Sequence, residues 1–453
     1  MNTFSLHNFG CRASQADGAA LERLLELKGF TAAGERSRAE LVVLNSCTVT
    51  ASADEDLRQM ARRVHRENPQ ARILITGCYA QRAPQELAVL PGVEWVVGNS
   101  HKTEIAELVT QAPYHGQIHV SDIFAQQEFL AAPVEDAAGE RTRPNLKIQD
   151  GCNNRCSFCI IPYVRGRSRS ASPEEVLEQI RNLSGRYREV VLSGINLGRW
   201  GREPGSRMRL ADLLRLLLRQ TGIERLRLSS VEPMDFSDDL LELMASSQRI
   251  AKHVHAPLQS GSDRILRRMR RKYRPRHYAD RVERARRLMP EAAIGADVMA
   301  GFPGETDEDF ETSRRFIEEL PFTYLHVFTY SERPGTAATA MAEAVPIQVR
   351  KERNRILREL GAVKNLEFRK SMVGKRLSVV TLEQPSTALS DNYVKVELAR
   401  QSVANQLLDV EIGGLTEAGL HERGALTQLQ GGLQIWDRKL PGSSLSRSNS
   451  SCE

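Results

Sequence analysis

No stretch of this sequence approaches the roughly 18 consecutive apolar residues that a membrane-spanning helix requires. Its opening, Met1-Asn2-Thr3-Phe4-Ser5-Leu6, has no basic segment followed by an apolar one. Neither a membrane anchor nor a secretory signal is expected, and a cytoplasmic location follows as the default. No internal repeat of fixed period is visible, and a disordered chain is excluded by 41% hydrophobic against 26% charged residues. At roughly 150 residues per domain, 453 residues allow about three domains. A disulfide framework is the remaining absence: the cysteines number seven, an odd count, in a sequence read as cytoplasmic. Metal-binding or catalytic thiols are the expectation instead. Net charge is a modest +6, whose sign favours a polyanionic partner.

The first hundred residues alternate between short apolar runs (Thr3–Leu6, Glu40–Leu44, Arg72–Thr76, Val93–Val97) and helical stretches (Gln15–Lys28, Ala51–Glu67). Strand–helix alternation predicts βαβ units and a parallel sheet. Residues 126–143 have the small, polar composition of a linker. A second alternating series follows, with strands expected at Leu146–Gln149, Glu189–Leu192, Arg225–Leu228, His253–Pro257, Ile294–Met299 and Tyr324–Thr329. Ser172-Pro173-Glu174-Glu175 signals a capped helix start between two of them. Six β/α repeats suggest a partial (β/α)6 TIM-type barrel over residues 144–371, with ligands at the carboxyl ends of its strands. After a long charged helix (Val349–Lys370), Arg376–Leu382, Asn392–Leu398, Leu407–Gly413 and Gly432–Ile435 read as strands of a small antiparallel β-barrel. The fold class is thus α/β: a parallel N-terminal domain (1–125), the barrel, the β module (372–440) and a Ser-rich disordered tail (441–453).

The cysteines divide into three, three and one. Gly151-Cys152-Asn153-Asn154-Arg155-Cys156-Ser157-Phe158-Cys159 places three thiols on one tight loop after a predicted strand. Structural zinc normally takes four ligands from paired spacings, and no fourth lies nearby. Three thiolates suit a cubane iron–sulfur cluster with one iron left open, with a zinc loop or reduced core thiols as the plainer alternatives. Cys11, Cys47 and Cys78 are far apart, yet each directly follows a predicted strand and a small neighbour (Gly10, Ser46, Gly77). Parallel strands bring such positions to one sheet edge, so a second three-thiolate site is inferred against the alternative of ordinary buried cysteines. Cys452 lies in the tail without a role.

The C-x3-C-x-Φ-C loop at the first strand of a β/α barrel, with Phe158 in the aromatic position, resembles the radical S-adenosylmethionine superfamily. The pairing with Asn45-Ser46-Cys47-Thr48-Val49-Thr50 and Gly77-Cys78-Tyr79-Ala80-Gln81 resembles the methylthiotransferases within it. Further strings agree: Leu192-Ser193-Gly194-Ile195-Asn196, Ser229-Ser230-Val231-Glu232-Pro233, Pro257-Leu258-Gln259-Ser260-Gly261-Ser262 and Phe328-Thr329-Tyr330-Ser331-Glu332-Arg333-Pro334-Gly335-Thr336. One departure is Ser14, where the family pattern usually carries Asn. The resemblance implies two 4Fe-4S clusters, one on Cys11, Cys47 and Cys78 and the catalytic one on Cys152, Cys156 and Cys159. It also implies S-adenosyl-L-methionine as radical source and methyl donor, with Phe158, Gly194, Ser229 and Glu232 at its pocket. Gly301-Phe302-Pro303-Gly304 reads equally as part of the site or as a tight turn.

Leu146-Lys147-Ile148-Gln149-Asp150 and Met269-Arg270-Arg271-Lys272-Tyr273 are most similar to the branch that modifies N6-threonylcarbamoyladenosine at tRNA position 37. That resemblance implies sulfur and methyl insertion at C2 of the base, by a 5′-deoxyadenosyl radical. It implies the anticodon stem-loop of tRNA and an electron donor such as flavodoxin or ferredoxin as partners; a monomer is the default. The β module resembles the RNA-binding TRAM domain, although it is acidic around Asp409–Glu411. Arg264–Arg287 holds twelve Lys/Arg among 24 residues and interleaves Tyr273, His277 and Tyr278. Phosphate binding with base stacking, or merely a solvated helix face, are its two readings. The alternatives are the same chemistry on N6-isopentenyladenosine tRNA or a ribosomal-protein aspartate, and, from another class, a non-catalytic zinc-bound RNA-binding protein.

Overall fold

A computed structural model describes residues 2–33, 39–110, 116–126, 129 and 142–424. Most of the expected linker, the strand Gly432–Ile435 and the tail with Cys452 lie outside the described residues. The N-terminal sheet has the order β2-β1-β3-β4-β5-β6, all parallel. Its strands are β1 (Thr3–Asn8), β2 (Thr31–Ala32), β3 (Leu41–Ser46), β4 (Arg72–Gly77), β5 (Val93–Gly98) and β6 (Gln117–His119). The runs Leu41–Leu44 and Ile73–Ile75 are buried on both sides, as a sheet between helical layers requires. Helix α1 (Arg12–Leu27) follows β1, α2 (Ala51–Glu67) follows β3, and α3 (Cys78–Arg82) follows β4 without a loop.

The central barrel is built from β7 (Asn145–Asp150), β8 (Arg169–Ser170), β9 (Glu189–Gly194), β10 (Arg225–Leu228), β11 (His253–His255), β12 (Ala293–Ala300) and β13 (Tyr324–Thr329). It is open. The strands form one sheet in the order β10-β9-β7-β8 and another in the order β11-β12-β13. A single parallel bridge, Leu226 to Ile250, spans them. The short β8 runs antiparallel to β7. The expected capping box at Ser172 opens the helix Pro173–Ser184.

These strands alternate in a telling way. Ile148, Leu192, Leu226, Val254, Val298 and Val327 join the core under the helices. By the period of two, Lys147, Ser193, Arg227, His255, Asp297 and His326 then face inward. A filled TIM barrel packs branched aliphatics there. This lumen is polar, which suits a barrel with work to do inside.

The C-terminal module is a closed five-stranded barrel: β14 (Arg376–Thr381), β15 (Thr387–Ser390), β16 (Lys395–Glu397), β17 (Leu407–Leu415) and β18 (Leu420–Glu422). Its pairs are antiparallel except β16 with β18, which is parallel. That pair corrects the wholly antiparallel expectation, and β18 closes the circle that Gly432–Ile435 was expected to help form. The module meets the amino ends of the central strands. Arg227 donates to the carbonyls of Ser390 and Asp391, both at 3.0 Å, and Asn405 Oδ1 accepts from Arg188 N at 2.9 Å.

Candidate functional site: two thiol triads beside a polar lumen

Three adjacent parallel strands end in the dispersed cysteines. Cys11 caps α1, Cys47 follows β3, and Cys78 is the first residue of α3. Gly10 (φ +96°) makes the approach possible, since a Cβ there would stand 2.7 Å from Cys47 Sγ. Gly77 (φ +97°) turns β4 straight into α3. Burial, with Cys11 and Cys78 close by, pushes the Cys47 thiol up to about 12. Ser14, the departure from the family pattern, keeps a contact of its own: its Oγ lies 3.8 Å from Cys11 Sγ.

The second triad sits on the loop after β7. Gly151 (φ +67°) starts it, because a side chain there would strike the Arg167 carbonyl. Cys152 N donates to the Gly166 carbonyl, and Cys159 N to the Cys156 carbonyl, both at 3.1 Å. Burial and the neighbours Cys156 and Cys152 push the Cys159 thiol up to about 12. The triads are near neighbours: Cys78 shares a small apolar cluster with Ile160, which follows Cys159.

All six thiols are free. The donor sets fit clusters better than single ions. A tetrahedral zinc, with Zn–S bonds of about 2.3 Å, would draw its sulfurs to about 3.8 Å from one another. Among the described residues, the one set of three His, Cys, Asp or Glu whose ligand atoms all lie within 4.8 Å is His255, Asp297 and His326. Neither thiol triad is gathered that tightly. Three free thiols spread wider than one ion needs suit a multi-iron cluster whose fourth corner is open.

Around the second triad, Phe158 packs edge-on to Phe302 at 6.4 Å. Gly194 ends β9 against Gln149, where a Cβ would stand 2.9 Å from Gln149 Cβ. Ser229 has a buried hydroxyl with no partner. Glu232 Oε2 accepts from Arg271 at 2.5 Å, and the same guanidinium lies 3.2 Å from Cys156 Sγ. Cys156, Glu232, Met234, Arg270 and Lys272 line a cavity there. Gly301–Gly304 forms a tight turn with both glycines at positive φ, ahead of the helix Asp307–Glu319. Its Phe302, packed on Phe158, joins it to the site.

Two features escaped the sequence. Arg271 belonged to the basic run but is buried beside Cys156. The other is a buried charge network of Asp17 and Lys102 from the N-terminal domain with Lys147, Asp150 and Arg165. Asp17 pairs with Lys102 (2.9 Å), Arg165 (3.0 Å) and Lys147, while Arg165 also pairs with Asp150 (3.0 Å). Arg165 stands close enough to Cys78 and Cys11 for their charge to act on it.

The basic run Arg264–Arg287 needs correction. Tyr273 and Tyr278 are fully buried, donating to the carbonyls of Leu258 and Ala256, so neither can stack on a base. Arg264 pairs with Asp309, Arg281 with Asp238, and Arg284 with Glu242. Arg286 is spent on the carbonyls of Pro290 and Ala292. The density serves internal structure first; Arg270, Lys272 and Arg276 remain exposed.

Residues 146–317 match the Radical SAM superfamily and residues 3–98 match Uncharacterized protein family UPF0004. The threonylcarbamoyladenosine tRNA methylthiotransferase MtaB of Aquifex aeolicus is 37% identical over 90% of this chain and 99% of its own length. The chain belongs to the radical S-adenosylmethionine methylthiotransferase family. The Bacillus subtilis protein of the same name is also 37% identical, over 87% of this chain and 90% of its own. A tRNA-2-methylthio-N(6)-dimethylallyladenosine synthase from Desulfitobacterium hafniense is 34% identical over 84% of this chain and 87% of its own, so relatives named for both tRNA branches resemble this methylthiotransferase. Among solved structures, the radical S-adenosylmethionine methyltransferase TsrM of Kitasatospora setae superposes with a TM-score of 0.55 at 15% identity, covering 75% of this chain and 77% of that one. That likeness concerns the fold alone.

Proposed function

We propose that this methylthiotransferase inserts sulfur and a methyl group at C2 of N6-threonylcarbamoyladenosine, position 37 of tRNA. The observation that carries the reading is two free thiol triads side by side, at the mouth of a polar lumen, in a chain 37% identical to relatives named for that substrate. Cys152, Cys156 and Cys159 would hold one 4Fe-4S cluster, and Cys11, Cys47 and Cys78 the other. When bound, the clusters and S-adenosyl-L-methionine supply the radical, the sulfur and the methyl group.

The chain's own residues do the rest. Arg271 and Glu232 hold one another at the cavity beside Cys156, ready to orient the charged end and the ribose of the cofactor. Phe158 and Phe302 exclude water from one side of the loop. Gly194 leaves room for close approach, and the Ser229 hydroxyl waits for a partner. Exposed Arg270, Lys272 and Arg276 offer phosphate contacts to the anticodon stem-loop. The electron donor is a flavodoxin- or ferredoxin-type protein, and the site of action is cytoplasmic. Mass spectrometry of tRNA nucleosides from a strain deleted for this gene tests the reading. It predicts that threonylcarbamoyladenosine loses its methylthio group on deletion. Retention of that group, with loss of the methylthio group from dimethylallyladenosine, would assign the other branch.

A further inference from the structure

The lumen's polar lining contains groups that neither the clusters nor the cofactor pocket uses. Along β11, β12 and β13 runs a row of hydrogen-bonded side chains. His253 Nε2 lies 2.6 Å from Tyr324 Oη, and that hydroxyl lies 2.8 Å from His255 Nδ1. His255 Nε2 lies 3.1 Å from Asp297 Oδ1, which also accepts from His326 Nδ1 at 3.2 Å. Burial opposes the charge on Asp297, yet His255 and His326 hold its carboxyl well below the usual range. An ionised carboxylate only accepts, so both imidazoles donate to it. Gly295 makes the row possible, since any Cβ there would strike the Tyr324 ring.

Both ends of the row are unfinished. His253 is buried, and its Nδ1 has no partner. Nε2 of the half-exposed His326 likewise has no partner among the described residues. Nearby, Asn145 Oδ1 and Ser193 Oγ are buried and unpaired on the inward faces of β7 and β9. Three buried, orphaned polar groups on the inward faces of one lumen, with the accessible Nε2 of His326 at the end of the row, imply a polar ligand that completes them.

The charge at the lower end of the row adds a sign. Arg12, one residue beyond Cys11, reaches to 3.4 Å from Tyr393 Oη of the C-terminal barrel. Tyr393 in turn stacks on His253, with ring centroids 4.4 Å apart. Tyr393 holds φ at +65°, a conformation a non-glycine residue keeps only where its surroundings enforce it. No carboxylate pairs with Arg12 among the described residues. Its neighbours Arg143, Arg225 and Arg227 converge on the single carboxylate of Glu189, with Asp391 the other acid close by. Four guanidinium groups therefore face the carboxylates of Glu189 and Asp391, with the ionised Asp297 further along the row, and the floor of the lumen keeps a small excess of positive charge.

We infer that the lumen holds a recognition site for an anionic, hydrogen-bonding substituent of the substrate base. Arg12 takes the substituent's carboxylate, and the free nitrogens of His253 and His326 take its N–H and O–H groups. The inference rests on the tRNA methylthiotransferase reading above and deepens it, because it separates a base bearing an aminoacyl-type carboxylate from one bearing a hydrocarbon chain. An aliphatic substituent would leave Arg12, His253 Nδ1 and Asn145 Oδ1 unpaired in a dry lumen, which is how a polar site rejects an apolar analogue. Arg12 also couples recognition to assembly, since its carbonyl accepts from Asn145 of the central barrel at 2.7 Å and its guanidinium reaches Tyr393 of the C-terminal barrel.

The test compares two tRNAs bound to the reconstituted full-length protein at fixed salt. One carries threonylcarbamoyladenosine at position 37 and the other plain adenosine. The wild-type protein is expected to bind the first more tightly. Arg12→Gln and, separately, His326→Ala should each cut that preference by about ten- to a hundredfold, the usual effect of removing one partner of a charged or buried hydrogen bond. Iron content reports whether Arg12→Gln has disturbed the neighbouring thiols, and the same measurement on His326→Ala, whose side chain is half-exposed on β13, keeps the test independent of Cys11. A preference that survives both substitutions overturns the inference, as does an equal weakening of both tRNAs. Methylthiolation by the wild-type protein of dimethylallyladenosine tRNA, but not of threonylcarbamoyladenosine tRNA, would instead sink the substrate reading itself.

Discussion

Cys156 and Arg271 show how much chemistry rests on single side chains. Cys156 lies on the loop with Cys152 and Cys159, and Arg271 is its buried cationic neighbour at 3.2 Å. Cys156→Ala is expected to abolish reductive cleavage of S-adenosylmethionine while the iron bound through Cys11, Cys47 and Cys78 stays in place. Cleavage at the wild-type rate would remove Cys156 from the ligand set. Arg271→Gln should keep the visible absorption of both clusters but weaken cofactor binding about tenfold or more, as loss of a charged contact does. Equilibrium binding of the cofactor, read beside iron content, separates that outcome from simple unfolding. The sequence showed both residues but explained only one. The spacing of Cys152, Cys156 and Cys159 has few physical meanings, whereas an arginine among twelve basic residues has no mark of burial until the fold encloses it.

The elements carry their own logic, and Glu189 at the start of β9 tests it. Burial alone would raise its carboxyl, but Arg227, Arg143 and Arg225 outweigh burial and hold it at about 2, below the ordinary 4.5. A carboxyl depressed in the folded state stabilises the fold above its unfolded value and loses that contribution as pH falls toward the folded one. Stability should therefore drop between about pH 4.5 and pH 2, a window that Glu189→Gln would flatten. At neutral pH that substitution leaves buried guanidinium groups uncompensated and should cost about 3–5 kcal/mol, read by denaturant unfolding. The strands themselves were legible, because aliphatic residues at alternate positions mark the helix-facing side of β7, β9 and β12. The lumen side was legible in part: His253 with His255, and Tyr324 with His326, are spaced two apart and share a face. That spacing alone does not say whether the shared face turns to solvent or to a lumen, which only the fold decides. Tyr273 and Tyr278 were misjudged for the same reason, since a polar-tipped ring beside arginines reads the same whether it turns to solvent or to a carbonyl.

At the scale of the whole molecule, the N-terminal domain and the central barrel are tied by charge. Asp17 of α1 meets Lys147 and Arg165 of the central barrel across 130 and 148 residues of sequence, a distance no local pattern bridges. Arg333 reaches back to Asp54 at 2.9 Å on the other side of the same contact. Asp17→Asn should loosen this joint, raising amide exchange in both α1 and β7; protection equal to wild type would show that the network does not hold the parts together. The joint sets the two thiol triads beside one lumen, the arrangement that a single pass of sulfur and methyl transfer to one base requires. The most direct test of that arrangement is iron counted after anaerobic reconstitution in three proteins: the wild type, a variant with Cys11, Cys47 and Cys78 changed to Ala, and one with Cys152, Cys156 and Cys159 changed to Ala. Two four-iron clusters predict about eight iron atoms in the first and about four in each variant. A colourless wild-type protein holding zinc, or iron that vanishes entirely with either triad, would contradict the account.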